Sequence, residues 1–271
     1  MRVAEAVVGA VVATLAVAVV AGCSSAGGDS SSGRTSDSAR PTTSATSPTT
    51  SAGTTSTSAT PATSGPLVRN RALDRPLIRA ARRGEPDRVR ALLARGASVR
   101  ARDDRGRTAL VAAAYENNVR VAGVLVEAGA DVNRKDDTVQ SAYLIATSEV
   151  GDDTRLLDLT LAAGGDVRSL DSFHGTGLIR AADRGYPGVV RRLLATDIRV
   201  DHVNELGWTA LHEAVILGDG SRRYVRVVRL LVEAGADANK PSRRDGVRPL
   251  QHATSRGYDE IARVLRAAGA R

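Results

Sequence analysis

The feature that most restricts the fold of this 271-residue chain is an internal repeat whose copies begin 33 to 39 residues apart. Each copy opens with Arg, Thr or Ser, then Pro, Ala or Gly, then Leu or Tyr. These openings stand at Arg75, Thr108, Ser141, Thr176, Thr209 and Arg248. A Gly near the end of five of the six copies is a second landmark, at Gly96, Gly129, Gly164, Gly235 and Gly269. Such a period predicts stacked copies of one small structural unit.

Each copy predicts two helices. Thr before a small residue caps the first helix, and Pro suits its first turn. Leu pairs such as Leu92-Leu93 give the second helix an apolar stripe, and the Gly closes it in a left-handed conformation. Asp197 replaces that Gly in the fourth copy and is expected to take the same conformation at a higher cost. The fifth copy gains five residues, which we place in the turn between its helices, around residues 219–224.

The repeats resemble those of the ankyrin family. The segments 208–214 (WTALHEA) and 129–133 (GADVN) match the Thr-Pro-Leu-His and Gly-Ala-Asp-Val-Asn landmarks of that family most closely. The resemblance implies a mostly α solenoid of six helix–turn–helix units with short β-hairpin turns, spanning residues 67–271. It also implies a module that binds another macromolecule and catalyses no reaction.

In ankyrin proteins, partners contact the hairpin tips and the exposed side of the first helices, a surface that we call the concave face. The resemblance assigns the partner-binding positions of this chain to Arg105, Arg107, Tyr115, Phe173, Arg184, Trp208, Ile216 and Leu217. Aromatic residues and Arg are the side chains that most often anchor protein interfaces. For each aromatic residue the alternative is that it packs against a neighbouring repeat and stiffens the hairpins.

No sequence motif for catalysis, metal binding or cofactor binding is present. The four His residues lie in different repeats, and His212 falls at the family's His position, whose role is structural hydrogen bonding. We therefore expect no catalytic residues, no metal and no cofactor.

The first 22 residues are interpreted as a bacterial lipoprotein signal peptide. An apolar run from Ala6 to Ala21 is short for a membrane span but typical of an export signal. It ends in Val20-Ala21-Gly22-Cys23, which resembles a lipobox whose Cys carries lipid. Cys23 is the single Cys of the chain, so no intrachain disulfide can form.

Residues 23–66 are interpreted as the lipidated Cys23 and a tether. Of the 43 residues from Ser24 to Pro66, 24 are Ser or Thr and none is Leu, Ile, Val or aromatic. Such a segment cannot bury enough apolar surface to fold, so we expect it to be disordered. The expected location is the extracytoplasmic face of a bacterial cell membrane, with a Gram-positive surface and a periplasm both left open.

The net charge of +8 leaves two classes of partner open. We expect a monomer that binds a protein on its concave face, with nucleic acid disfavoured because acids are interspersed among the Arg residues. The alternative is a module that binds a polyanion, such as cell-wall polymer or nucleic acid, through its basic repeat surface. Salt dependence distinguishes the two, since polyanion binding weakens steeply as salt is raised.

Overall fold

The computed structural model describes residues 69–271, which form twelve α-helices in six consecutive pairs. The first three pairs are α1 (Asp74–Arg82) with α2 (Pro86–Ala94), α3 (Ala109–Tyr115) with α4 (Val119–Glu127), and α5 (Ala142–Ser148) with α6 (Arg155–Ala162). The last three are α7 (Gly177–Arg184) with α8 (Pro187–Leu194), α9 (Ala210–Ile216) with α10 (Arg222–Glu233), and α11 (Pro249–Ser255) with α12 (Asp259–Ala267). A short 3₁₀ helix, Arg71–Leu73, precedes α1. The predicted signal peptide, Cys23 and the whole of the predicted tether lie outside the described residues.

The helix starts follow the chemistry expected from the repeats. The side-chain oxygens of Thr108, Ser141, Thr176 and Thr209 accept hydrogen bonds from backbone N–H groups in the first turn of α3, α5, α7 and α9. These bonds satisfy amides that have no partner within the helix. The first helices are therefore fixed by one hydroxyl side chain in each of four repeats.

The helix pairs stack into two layers around one continuous core. Each first helix packs against the first helix of the next repeat, and most second helices do the same in the other layer. The first helices present small residues to their neighbours, and Ala113, Ala146 and Ala181 are fully buried there. Between α6 and α8 the contact is weaker, and an open groove of about 540 Å³ lies beside their C-terminal ends. The stacked solenoid of helical repeats expected from the sequence is confirmed.

The hairpin tips differ from the β-hairpins that the family resemblance implies. Within residues 69–271 no β-strand is formed. Two backbone hydrogen bonds close each tip of the second to fifth repeats. In the second repeat the Asp103 N–H donates to the Arg107 carbonyl and the Gly106 N–H donates to the Asp103 carbonyl, both at 3.0 Å. The tips are therefore turns held in a hairpin-like path.

Two local expectations were wrong. Asp197 does not adopt a left-handed conformation; instead, the Thr196 hydroxyl donates a hydrogen bond to the Leu193 carbonyl at the end of α8. The additional residues of the fifth repeat do not all extend the turn, because α10 has 12 residues and begins at Arg222. Its Tyr224 is buried and donates a hydrogen bond from its hydroxyl to the Asp183 carbonyl at 2.8 Å, which anchors the longer helix on the preceding repeat.

We expect Trp208→Ala to lower the melting temperature by roughly 10 °C, because Trp208 is only 6 % exposed and truncating a buried aromatic costs about 3–5 kcal/mol. The matched control is Phe173→Ala, since Phe173 is 44 % exposed. Thermal unfolding followed by circular dichroism should show little change for the control. Equal losses from both variants would contradict the difference in burial.

Candidate functional site

An Asp or Asn at the first position of each of four tips organises the concave face. In the second repeat the Asp103 carboxylate accepts hydrogen bonds from the N–H groups of Arg105 and Arg107, both at 2.9 Å. In the fourth repeat Asp171 accepts from Phe173 and Gly175, both at 2.8 Å. Asp136 and Asn204 occupy the same place in the third and fifth repeats. These bonds fix the backbone, so the tip side chains project from a rigid base.

Successive tips are also joined to one another. The Asp137 N–H donates to the Arg105 carbonyl at 3.2 Å, and the Glu205 N–H donates to the Phe173 carbonyl at 2.9 Å. Between the third and fourth repeats the Lys135 ammonium donates to the Leu170 carbonyl at 2.6 Å instead. The tips therefore form a connected surface from the second repeat to the fifth.

Two tips hold a strained residue where others have Gly. Gly106 and Gly207 have positive φ at the fourth position of their tips, whereas Val139 and His174 adopt φ of 63° and 55° at the same position. A β-branched residue is rarely found in that conformation. The carboxylates of Asp136 and Asp171 hold these two tips in the shape that the Gly-containing tips also adopt.

The structure brings five of the eight predicted contact residues to the concave face with exposed or half-exposed side chains. Tyr115 lies at the end of α3 and donates a hydrogen bond from its hydroxyl to Asp136 at 3.3 Å. Phe173 stands at the apex of its tip, and Arg105 occupies the equivalent place in the second repeat. Leu217, just beyond α9, is half-buried, as is Arg184 at the end of α7. The guanidinium of Arg184 lies 3.7 Å from the Glu149 carboxylate.

The other three predicted contact residues are less available. Trp208 and Ile216 are only 6 % and 5 % exposed, so the expectation that they lie open on this face was wrong. Trp208 is the last residue of its tip, directly before the capping Thr209, and its side chain is buried there. Arg107 holds the same tip position and forms a half-buried ion pair with Asp103 at 2.7 Å.

Arg180 is a central residue of this face that the sequence interpretation missed. Its side chain is 12 % exposed, and its guanidinium donates to Asp171 at 3.0 Å, Gln140 at 2.9 Å and Glu149 at 3.2 Å. These bonds connect the third and fourth repeats. The sequence did contain a signal for this role, because Arg180 is a charged residue at a repeat position where the second and third repeats have Ala112 and Ile145.

Glu213 occupies the same position in the fifth repeat and was also missed. Its carboxyl is 4 % exposed, and one oxygen accepts a hydrogen bond from the Asn204 amide at 2.7 Å. Burial, and after it the negative charge of Asp183, raises the pKa of Glu213 to about 8. The sequence signal was the paired change of the tip Asp to Asn204, whose amide can donate to an acid.

His212 has the structural role that the family resemblance implied. Its Nδ1 lies 2.9 Å from the Thr209 hydroxyl, and the side chain is fully buried. Burial, and after it the neighbouring His252, lowers the pKa of His212 to about 4. The imidazole is therefore neutral at neutral pH and fixes the start of α9.

In the part of the chain that the structure describes, no three His, Cys, Asp or Glu side chains are grouped so that they could hold a metal ion. None of the helices within residues 69–271 has the length and apolar character needed to span a bilayer.

Comparison with known proteins supports the assignment of the repeats. A family model described as ankyrin repeats (3 copies) matches residues 65–136 and 144–242. The chain is 38 % identical to the Escherichia coli (strain K12) protein YahD, named as an ankyrin repeat protein, over 70 % of this chain and 94 % of YahD. A solved ankyrin repeat domain from Acinetobacter baumannii AYE has a TM-score of 0.68 and 44 % identity, covering 72 % of this chain and 98 % of its own. The solved ankyrin repeat protein EF0377 has a TM-score of 0.66 and 32 % identity, covering 70 % and 96 %.

We expect Glu213→Gln to reduce the loss of stability between pH 7 and pH 9. The pKa of Glu213 in the folded state, about 8, is above its unfolded value, so folding favours the protonated acid and stability falls as pH rises through 8. Gln keeps the oxygen that accepts from Asn204 and cannot ionise. The melting temperature of the wild type should fall by about 4 °C more than that of the variant.

Glu205→Gln, an exposed acid of the same repeat, is the control and should follow the wild type. Burial lowers the pKa values of His212 and His252, so the titration of these two residues affects stability only below pH 7. Parallel curves for wild type and Glu213→Gln would show that Glu213 is already ionised in the folded protein at pH 7.

Proposed function

This chain belongs to the ankyrin repeat family, and from that premise we propose that its array is a non-enzymatic module that binds a protein partner on the concave face. Ankyrin repeats are protein-binding modules. Their core positions are fixed by stacking, while the tips are free to vary with the partner. For this chain the proposed contact surface runs from the tip of the second repeat to that of the fifth.

One observation carries the proposal. Among residues 69–271, the large hydrophobic side chains that are exposed are Tyr115, at 37 %, and Phe173, at 44 %, and both belong to the concave face. Exposed aromatic residues on a rigid base lose little conformational freedom on binding and can bury a large area. Arg105 is exposed on the same surface and adds a donor that can pair with partner carboxylates.

The charge distribution favours a protein over a polyanion on this surface. Residues 101–240, which contain the second to fifth repeats, carry 18 Lys or Arg and 21 Asp or Glu, a net charge of −3. A surface for cell-wall polymer or nucleic acid needs a positive field to attract phosphates. The repeats that carry Tyr115 and Phe173 do not provide one.

The proposed location is the extracytoplasmic face of a bacterial membrane. The lipobox-like ending of the apolar run at Cys23 supports a lipid anchor, and the Ser/Thr-rich segment supports a tether between that anchor and the array. One lipid-modified Cys and a long tether would leave the concave face free to meet a partner near the membrane.

We expect the double variant Tyr115→Ala/Phe173→Ala to weaken partner binding by more than tenfold, because loss of an interface aromatic costs about 2 kcal/mol or more. Proteins captured by the immobilised array from membranes of the source organism are identified by mass spectrometry, and affinities are then measured with the purified partner. The control Arg120→Ala/Arg229→Ala alters two exposed side chains on the second helices. Equal affinity of a folded double variant and the wild type would exclude this face.

We expect Cys23→Ala to abolish lipid attachment, because Cys23 is the only thiol in the chain. The variant should remain unprocessed or be released from the membrane. The measurement is fractionation of cells labelled with a radioactive fatty acid. A mature-sized variant that still fractionates with membranes would contradict the lipobox interpretation.

A further inference from the structure

The net positive charge of the array lies in its two end repeats and not in the second to fifth repeats, which form the proposed contact surface. Residues 69–100, the first repeat, contain ten Arg against Asp74, Glu85 and Asp87, a net charge of +7. The sixth repeat, residues 241–271, has a net charge of +4. The two end repeats therefore carry the whole excess of positive charge, and neither supplies an exposed aromatic residue of the proposed contact surface.

The Arg residues of the first repeat are available to an external anion. All ten are exposed, and Arg71, Arg79, Arg82, Arg95 and Arg100 form no ion pair with any residue of the described array. An end repeat needs a polar outer face for solubility, but mixed charges supply that without mutual repulsion. Solubility alone does not explain ten Arg with three acids.

Helix α1 arranges several of these charges along one side. Arg75, Arg79 and Arg82 follow helical spacing, so they lie along one stripe of α1. Arg79 borders two grooves, one of about 140 Å³ shared with Arg83 and Arg88, and one of about 420 Å³ shared with Arg75 and Arg82. Glu85 also lines the first groove and Asp103 and Asp104 the second, but Arg79 and Arg82 form no ion pair with these acids. A guanidinium offers paired donors that match phosphate oxygens. Several guanidinium groups that can bind phosphate therefore lie along α1 and in the two grooves beside it.

We propose that the exposed Arg residues of the first repeat dock the array onto the phosphate headgroups of an anionic bilayer. They belong to the repeat that directly follows the proposed tether in sequence, so a lipid on Cys23 would attach the array to the bilayer through this repeat. Clusters of basic residues beside an anchor are drawn to anionic lipids within about one Debye length. The proposal rests on the proposed membrane location, and it leaves the exposed aromatic residues Tyr115 and Phe173 free for a protein.

The test uses the array without its anchor, so it is independent of lipidation. Residues 69–271 have their own continuous core, and this chain matches a solved ankyrin domain over 98 % of that domain, so we expect residues 67–271 to fold without the segment before them. Binding is measured by co-sedimentation with vesicles of phosphatidylcholine containing about one third phosphatidylglycerol. We expect binding to these vesicles at about 0.1 M salt, loss of binding at about 0.5 M salt, and no binding to pure phosphatidylcholine.

The variant Arg71→Gln/Arg79→Gln/Arg82→Gln should lower vesicle partitioning by about a hundredfold, since each basic residue near an anionic surface contributes about fivefold. Gln has a helix propensity close to that of Arg, so α1 should persist, and a thermal melt checks this. The matched control is Arg256→Gln/Arg263→Gln/Arg266→Gln in the sixth repeat, three exposed Arg without ion pairs in the described array. It removes the same charge and should bind vesicles within about twofold of the wild type.

Three outcomes would overturn the proposal: no binding of the wild type to anionic vesicles, equal losses from both variants, or binding to duplex DNA but not to vesicles. Failure here does not bear on the proposed protein contact, because the Tyr115→Ala/Phe173→Ala experiment measures residues of the second and fourth repeats. If Cys23→Ala shows that the protein carries no lipid, the vesicle result still stands, because the vesicle test uses the array without its anchor.

Discussion

The structure depends on one constraint, which is that no helix pair can bury its apolar surface without its neighbours. The first helices present Ala residues such as Ala113 and Ala146 to the adjacent repeats, and these are fully buried only because the next helix lies close. Stacking therefore supplies the core, so the residue at the apex of a tip is not needed for packing. That separation allows Phe173 to stand exposed while the backbone beneath it is fixed by Asp171.

The helix pairs and their order could be predicted from the sequence because each repeats a local rule. A hydroxyl at Thr108 or Thr209 caps a helix whatever surrounds it, so the pattern indicates the boundary directly. Tertiary contacts set the features that were missed. The burial of Trp208 depends on its place at the end of the tip rather than at the apex, where Phe173 stands. Similarly, Arg180 and Glu213 are stabilised by partners elsewhere in the array, and residue type alone does not reveal those partners.

Two kinds of surface follow from this architecture. The middle repeats combine exposed aromatic residues with nearly balanced charge, which is suited to a specific protein contact. The first repeat combines many Arg residues with few acids, which is suited to attraction over a longer range. Because the two surfaces lie on different repeats, a molecule could use one to fix its position and the other to select its partner.

The weak contact between α6 and α8 has a mechanical consequence. The first helices α5 and α7 pack closely at the same junction, so the two layers differ in stiffness there. Bending at this point separates the second helices while the first helices act as the pivot. Such a motion shortens the distance between the tips on either side, and Tyr115 and Phe173 lie on opposite sides of the junction. A bend at this junction would thus change the spacing of the two exposed aromatic rings without disturbing the packing of the first helices.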